Sequence, residues 1–224
     1  MEIKDISAVD VLMVVGPSLG YLLQTHKMVK EGVCEGFSPY VSFIMMASSM
    51  IRIFWWYSER FSTILLSASF CMIIAQLILL HFWTKIRRSN KYSDKESFWH
   101  WNHFSSYVKC LLAMTLVLLI STRLLHTSPL YQTILGSLSS GIEAFLPLPQ
   151  FILIHKQKHV QGLSVIFILN WVAGDFFKLY YYLSTGSPFS LVIATGFQMS
   201  VDFLILGTFF IYSNNEMEVK YKKL

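Results

Sequence analysis

The stretch FLPLPQFILIHKQ, residues 145–157, places two prolines and a glutamine inside an apolar run. Proline removes a backbone donor from a helix, and a buried glutamine needs hydrogen-bond partners. The chain around this stretch is strongly apolar, because hydrophobic types make up 54% of its 224 residues and charged types only 14%. Soluble domains average about 25% charged residues. So few charges cannot cover a water-facing surface, and the sequence predicts a protein whose solvent is the bilayer.

Seven segments of the chain are apolar enough and long enough to cross a bilayer, which takes about 20 residues in a helix. They are roughly 9–26, 38–57, 63–83, 105–125, 130–154, 164–184 and 188–212. The first is interrupted by GPSLG at 16–20, which a bundle tolerates when neighbouring helices satisfy the freed backbone groups. The sequence therefore predicts an all-α polytopic membrane protein with seven transmembrane helices.

Lysine and arginine are distributed unevenly between the two sides of the predicted bundle. The segments 27–37, 84–104, 155–163 and the tail after residue 212 hold twelve of them, and the segments on the other side hold three. Because basic loops stay on the cytosolic side, we expect a lumenal N-terminus and a cytosolic C-terminus. The net charge of +5 follows from this bias, and it predicts attraction to anionic lipids and no nucleic-acid partner.

The longest predicted loop, 84–104, is basic first and aromatic later. Trp99 and Trp101 are typical of an aromatic belt, in which indole rings lie at the level of the lipid headgroups. We interpret both residues as interface anchors. The alternative is a specific lipid-headgroup site in this loop.

An internal repeat is visible when the chain is shifted on itself by about 126 residues. The aligned pairs include Gln24 with Gln150, Ser38 with Ser164, and Arg52 with Lys178. Equivalent helices lie four spans apart, and an even shift keeps their orientation, so the repeats are parallel. The predicted architecture is two parallel three-helix bundles joined by a linking helix. Its parts are a first bundle at 1–83, a loop and linking helix at 84–129, a second bundle at 130–212 and a basic tail at 213–224.

Two long motifs surround the paired glutamines. The second reads LPLPQFILIHKQKHVQGLSVIFILNWVAGDFFKLYYYL from Leu146, and the first reads YLLQTHKMVKEGVCEGFSPYVSFIMMASSMIRIFWWY from Tyr21. They resemble the two motifs of the PQ-loop family, which includes the SWEET sugar transporters and lysosomal amino-acid exporters. Leu23 stands where the first motif of the family has proline, so we expect any hinge motion to differ between the repeats.

The resemblance implies a function in moving or sorting membrane cargo. The first hypothesis is movement of phospholipid between leaflets, in support of endosome-to-Golgi retrieval, by a protein of endosomes or the trans-Golgi. The alternative is a small-solute transporter, for example of an amino acid-like solute, that is coupled to protons. The third hypothesis is a trafficking receptor that transports nothing. Membrane lipids are the expected partners, and the sequence leaves the oligomeric state open.

Ionisable side chains inside a span are costly, and they are functional candidates by default. The candidates for transport or proton coupling are Arg52, Glu143, Asp175, Lys178, Asp202 and the polar Gln198. Asp175 and Lys178 share a helix face, either as a structural ion pair or as a substrate site. Glu143 has no cation within one helical turn in sequence, so it is the preferred proton carrier, with a packing hydrogen bond as the alternative.

Two of these candidates have further open roles. Asp202 can pair with Lys178 or with Arg52 from another span. Arg52 lies toward the end of its span and can instead extend to the interface. Most of the ionisable candidates belong to the second bundle, where we expect the chemistry to be concentrated.

Pro147 and Pro149 predict a hinge in the fifth span, together with Gln150 and its repeat partner Gln24. We expect the prolines to leave carbonyls near residues 143–145 without partners, so that these can bind substrate or water, and Gln150 to cap the break. The chain contains no nucleotide-binding or nucleophile motif, and its three cysteines form no CxxC pair. We therefore expect neither enzymatic activity nor a cofactor nor a metal.

Overall fold

The computed structural model describes residues 8–60, 63–90, 96–160, 163–184 and 189–221. These residues form the helices α1 (Ala8–Glu31), α2 (Pro39–Glu59), α3 (Thr63–Ser89), α4 (Phe104–Leu125), α5 (Pro129–Ala144), α6 (Leu148–Gln157), α7 (Val165–Ser184) and α8 (Phe189–Tyr221). Helices α5 and α6 are the two parts of the fifth predicted span. The predicted all-α membrane fold is confirmed, with one helical rod for each of the seven spans.

Four stretches of the described chain meet the length and hydropathy needed to cross a membrane. They are Thr63–Ser89, Phe104–Leu125, Pro129–Gln157 and Val192–Ser213. The helices extend beyond the predicted apolar segments, since α1 continues to Glu31 and α8 to Tyr221. Helix α1 also passes through Pro17 without a break in its assignment. The tail residues 222–224 lie outside the described residues, and so does the side chain of Lys220.

Two helices begin in the same way because their sequences begin in the same way. Ser38 before α2 and Ser128 before α5 both have extended backbone, with φ −81° and ψ 118°, and a proline follows each of them. Proline at the first helical position has a suitable φ and lacks only a donor that would be unpaired there. The dipeptide Ser-Pro therefore sets the start of both helices.

The helices pack in an order that repeats between the two halves. Helix α3 contacts both α1 and α2, and α8 contacts both α7 and the fifth rod, α5 with α6. Between the halves, α1 packs against α7, and α2 packs against α5 and α6. The repeat offset pairs α1 with the fifth rod and α2 with α7. The contact of α1 with α7 is therefore equivalent to the contact of the fifth rod with α2.

Small residues allow the helices of different halves to approach closely, as is common between membrane helices. Ser48 Oγ donates to the carbonyl of Ser139 at 3.0 Å, and Ser139 Oγ donates back to the carbonyl of Ser48 at 3.2 Å. A Cβ on Gly20 would lie 2.7 Å from the side-chain nitrogen of Asn170. Both junctions are thus direct contacts between the two halves.

The loop before α4 folds back onto α2 and α4, which corrects the prediction for Trp99. Its side chain is 0% exposed, and its ring packs 4.8 Å from Phe43 and 5.2 Å from Tyr107. Trp101 is half-buried, 5.4 Å from Trp99, and its backbone N–H donates to the Tyr107 hydroxyl. An enclosed indole cannot reach lipid headgroups, so Trp99 is a core residue and not an interface anchor.

Candidate functional site

The two repeated glutamines each bond to the other repeat. Gln150 Oε1 accepts the backbone N–H of Ser38 at 2.9 Å, and Gln150 Nε2 donates to the carbonyl of Gly36 at 2.7 Å. Gln24 Oε1 accepts the backbone N–H of Ser164 at 2.8 Å. Both amide side chains are fully buried. Each glutamine thus satisfies a backbone donor at the start of the second helix of the opposite half; we call these bonds the cross-repeat bonds.

Backbone groups at the break between α5 and α6 are hydrogen-bonded within the break, which corrects two predictions. The carbonyl of Glu143 accepts the N–H of Leu146 at 3.0 Å, and the carbonyl of Phe145 accepts the N–H of Leu148 at 3.2 Å. These carbonyls are therefore not left open for substrate. Gln150 does not cap the break either, since its side chain reaches to Gly36 and Ser38. The break is a tight turn, and Pro147 precedes the first residue of α6.

Three charged side chains meet beside the break in the fifth rod; we call them the ion cluster. The carboxylate of Glu143 on α5 is paired with the guanidinium of Arg52 on α2. Its other oxygen, Oε1, accepts from Lys178 Nζ on α7 at 2.9 Å. Lys178 Nζ also lies 3.5 Å from Asp175 Oδ1. The ion cluster thus contains groups from both repeats and from three different helices.

The ion cluster changes the interpretation of Glu143 and Arg52. No cation lies near Glu143 in sequence, but in the fold two cations reach it from other helices, so it is a paired carboxylate. Arg52 does not extend to the interface, because its guanidinium binds Glu143 and its Nη2 donates to Ser48 Oγ at 3.4 Å. One of the open alternatives is thereby decided: Arg52 pairs with Glu143, and not with Asp202.

Asp175 and Asp202 form a second polar group beside the ion cluster; we call it the aspartate pair. Their side chains are 1% and 0% exposed, and the carboxyl of Asp202 lies within interaction range of that of Asp175. Both oxygens of Asp202 and Oδ2 of Asp175 have no hydrogen-bond partner among the described residues. Gln198, one turn before Asp202 on α8, is also buried. Two adjacent buried carboxyls repel each other when both are ionised, an arrangement that favours a shared proton.

The sequence did not indicate the serines beside the ion cluster. Ser48 is buried four residues before Arg52, and it exchanges hydrogen bonds with Ser139, four residues before Glu143. A spacing of four residues places each serine on the same helix face as its charged neighbour. That spacing is the signal that could have identified them.

A groove of about 540 Å³ opens between α2 and α6, near the ends of α3 and α6. Ser38 and Pro149 line it, so it borders the cross-repeat bond of Gln150. Arg87, Lys156, His100 and Glu35 supply its polar wall. Cys34 also lines the groove, and burial raises the pKa of its thiol to about 11, so this thiol adds no negative charge at neutral pH.

Comparison with known proteins assigns part of this arrangement to a family. Residues 131–191 match the family model for the PQ loop repeat. The chain carries a PQ-loop repeat. This PQ-loop repeat contains Glu143, Gln150, Asp175 and Lys178, whereas Gln24 and the rest of the first half lie outside the match. The expected family resemblance is thus confirmed for the second half of the chain.

One curated relative extends the match beyond the PQ-loop repeat. Scramblase ANY1 of Saccharomyces cerevisiae is 32% identical to this chain over 168 residues. The aligned part covers 69% of the chain and 42% of the relative, so the chain spans about two fifths of that protein's length. No solved structure matches the chain.

Proposed function

We propose that this protein moves phospholipid between the two leaflets of a membrane without an energy source, as a scramblase. The observation that carries the proposal is the ion cluster, whose members lie within three apolar rods and are only partly buried. The side chains of Arg52, Glu143 and Lys178 are 20%, 15% and 32% exposed. The resemblance to a PQ-loop protein named as a scramblase supports the same function.

The physical argument concerns where partly exposed charges can lie in a membrane. Each ionised side chain at the centre of a span costs about 2.5–3.5 kcal/mol on insertion scales. That cost falls when the charges face a polar passage instead of lipid tails. A zwitterionic headgroup has the complementary charges, since its phosphate can bind Arg52 or Lys178 while its amine binds Glu143. Headgroups can therefore follow the cluster while their acyl chains remain in the bilayer.

A second function, proton-coupled transport of a small solute, is favoured by the aspartate pair. Asp175 and Asp202 are enclosed, and three of their oxygens have no described hydrogen-bond partner. Two enclosed carboxyls beside each other favour one shared proton, which the pair can take up and release. In this alternative the ion cluster binds the solute, and the aspartate pair carries the proton.

The cellular setting belongs to the proposal and rests on the family resemblance. We propose that the protein acts in endosomes or the trans-Golgi and supports retrieval from endosomes to the Golgi. Its N-terminus faces the lumen and its C-terminus the cytosol, in accordance with twelve basic residues on one side against three on the other. A trafficking receptor that transports nothing would share this setting.

Purified protein in liposomes tests these functions. Fluorescent phosphatidylcholine in both leaflets is bleached from outside, and the bleached fraction reports lipid exchange. We expect wild type to expose nearly all of the fluorescent lipid. We expect Glu143→Gln to slow the exchange about tenfold, and Glu59→Gln, which removes an exposed carboxylate outside the ion cluster, to leave it unchanged.

The remaining outcomes decide between the candidates. If wild type leaves half of the lipid protected at several copies per vesicle, the scramblase proposal is wrong. Internal acidification driven by amino acids and abolished by Asp202→Asn would then support the solute transporter. A protein silent in both assays would support the receptor.

A further inference from the structure

The groove between α2 and α6 combines a polar wall with an apolar one. Phe43 and Ile44 from α2 and Ile152 and Leu153 from α6 form the apolar wall. Arg87 and Lys156 bring two cationic side chains to the polar wall, against one carboxylate from Glu35. A volume of about 540 Å³ lies within the range of pockets that hold small ligands.

The arginine of this groove is held in position before any ligand arrives. Arg87 Nε donates to Asn102 Oδ1 at 2.8 Å, and its NH1 donates to His100 Nε2 at 2.9 Å. Its guanidinium also lies 5.2 Å from the centre of the Trp83 ring. The Arg87 side chain is 4% exposed and two of its nitrogens already donate, so it brings a fixed positive charge to the wall of the groove, toward which a phosphate is attracted.

The groove is accessible from the surface. Lys156 is exposed on α6, and Tyr40 and Ile152 are exposed apolar side chains among the lining residues. An inorganic anion would use only the polar wall. A lipid would use both walls, with its phosphate near Arg87 and Lys156 and an acyl chain along Phe43 and Ile152. The apolar wall therefore favours a lipid over a free anion.

We propose that this groove binds one anionic phospholipid, with its headgroup between Arg87 and Lys156. The inference deepens the proposed function, on which it rests, by naming a place where lipid enters from the leaflet next to the basic loops. Ser38 and Pro149 also line the groove, so the bound lipid touches the segment in which Gln150 bonds to the first repeat. Occupancy of the groove is thereby linked to the contact between the two repeats.

Native mass spectrometry of the full chain in detergent tests the inference. The protein is mixed with equal amounts of dioleoylphosphatidylserine and dioleoylphosphatidylcholine, and the retained lipids are identified by the mass that they add to the protein. We expect one phosphatidylserine to be retained in preference to phosphatidylcholine. Lys156→Gln should lower its occupancy about fivefold, the size expected for one lysine beside an anionic lipid.

The matched control is Lys158→Gln, which makes the same change of charge two residues away. Lys158 is exposed but does not line the groove, so its variant should retain lipid like wild type. Equal losses from both variants, or equal retention of both lipids, would overturn the inference, since general attraction to basic loops would then be sufficient.

Two further measurements separate a lipid from a free phosphate. Excess inorganic phosphate should not displace the bound phosphatidylserine, because phosphate makes no contact with the apolar wall. Phosphatidylserine with a photoreactive acyl chain should label peptides that contain Ile152 or Phe43. Displacement by phosphate, or labelling confined to the exposed surface of α4, would overturn the lipid assignment.

The same preparations are assayed for lipid scrambling, so that the two proposals can fail separately. Selective retention that depends on Lys156, in a protein that scrambles nothing, upholds the lipid site and overturns the scramblase. Scrambling without selective retention overturns the lipid site and leaves the scramblase in place.

Discussion

The two repeats carry a glutamine at the same position, on helices that are built differently. Gln24 lies in α1, which is one helix from Ala8 to Glu31, whereas Gln150 lies in α6, just after a break in the fifth rod. Both glutamines nevertheless bond to the backbone of the opposite half. The cross-repeat bonds therefore do not need the proline that precedes Gln150 and that is Leu23 in the first repeat.

The repeats also differ in the charges that they contribute. The first supplies Arg52, and the second supplies Glu143, Lys178 and the aspartate pair. Glu143 lies in the last turn of α5, directly before the break. Glu143 and Gln150 are seven residues apart, a spacing that a continuous helix of 3.6 residues per turn would also keep on one face. The fifth rod thus serves the ion cluster and the cross-repeat bond together, one on each side of the break.

Glu143→Gln is the change that we expect to lower the stability of the protein most. It removes the carboxylate shared by Arg52 and Lys178, one cation from each repeat. Breaking a fully buried ion pair costs about 3–5 kcal/mol. The members of this cluster are partly exposed, so we expect a loss of about 2–3 kcal/mol, still near the range for buried pairs. Thermal unfolding in detergent, followed by tryptophan fluorescence, measures it.

The double variant Arg52→Gln with Glu143→Gln controls for this loss. It removes one positive and one negative charge together, so it should be more stable than Glu143→Gln alone. The difference in a double-mutant cycle gives the coupling between the repeats through this pair. If the double variant loses the sum of the free energies of unfolding that the two single variants lose, the ion pair between Arg52 and Glu143 is contradicted.

Gln150→Ala and Gln24→Ala compare the two cross-repeat bonds directly. Gln150→Ala leaves the N–H of Ser38 and the carbonyl of Gly36 buried without their partner. Leaving buried polar groups unpaired costs about 1–3 kcal/mol, and we expect about 2 kcal/mol for each variant. The unfolding temperature should fall by similar amounts in both, and a loss confined to Gln150→Ala would show that the repeats are not joined symmetrically.

Pro149→Leu has the smallest expected effect on stability, because it gives the second repeat the Leu-Gln of the first. The break is held by turn bonds between residues 142 and 148, and Pro147 remains in place. We therefore expect the free energy of unfolding to change by less than about 1 kcal/mol, the usual size for a proline exchange at a tolerant position. The rate of lipid exchange in liposomes should fall severalfold if the break is a hinge. An unchanged rate would show that Pro149 is not needed for any hinge motion.

The membrane fold could be predicted from the sequence because it follows from local properties. Apolar length determined the number of rods, and the repeat offset identified Gln24 and Gln150 as equivalents. Neither property shows which half a side chain reaches. Gln150 and Ser38 are 112 residues apart, and Gln24 and Ser164 are 140 apart.

The same limit applies to the charged residues. Glu143 has no cation nearby in sequence, and its partners Arg52 and Lys178 lie 91 and 35 residues away. Only the i, i+3 relation of Asp175 and Lys178 was visible as a pair in advance. Trp99 was misjudged for a related reason, since composition suggested an interface residue and the folding of its loop enclosed it.

The crossing of the two glutamines has a consequence for how the halves come together. The N–H groups of Ser38 and Ser164 each find their acceptor in the opposite half, and buried donors without partners are rare in folded proteins. Neither half can therefore complete its own backbone hydrogen bonding. Two separately made fragments, cut between α4 and α5, would each lack an acceptor that the other carries. Such fragments should reassemble when they are produced in the same membrane. One half produced alone should associate with a second copy of itself.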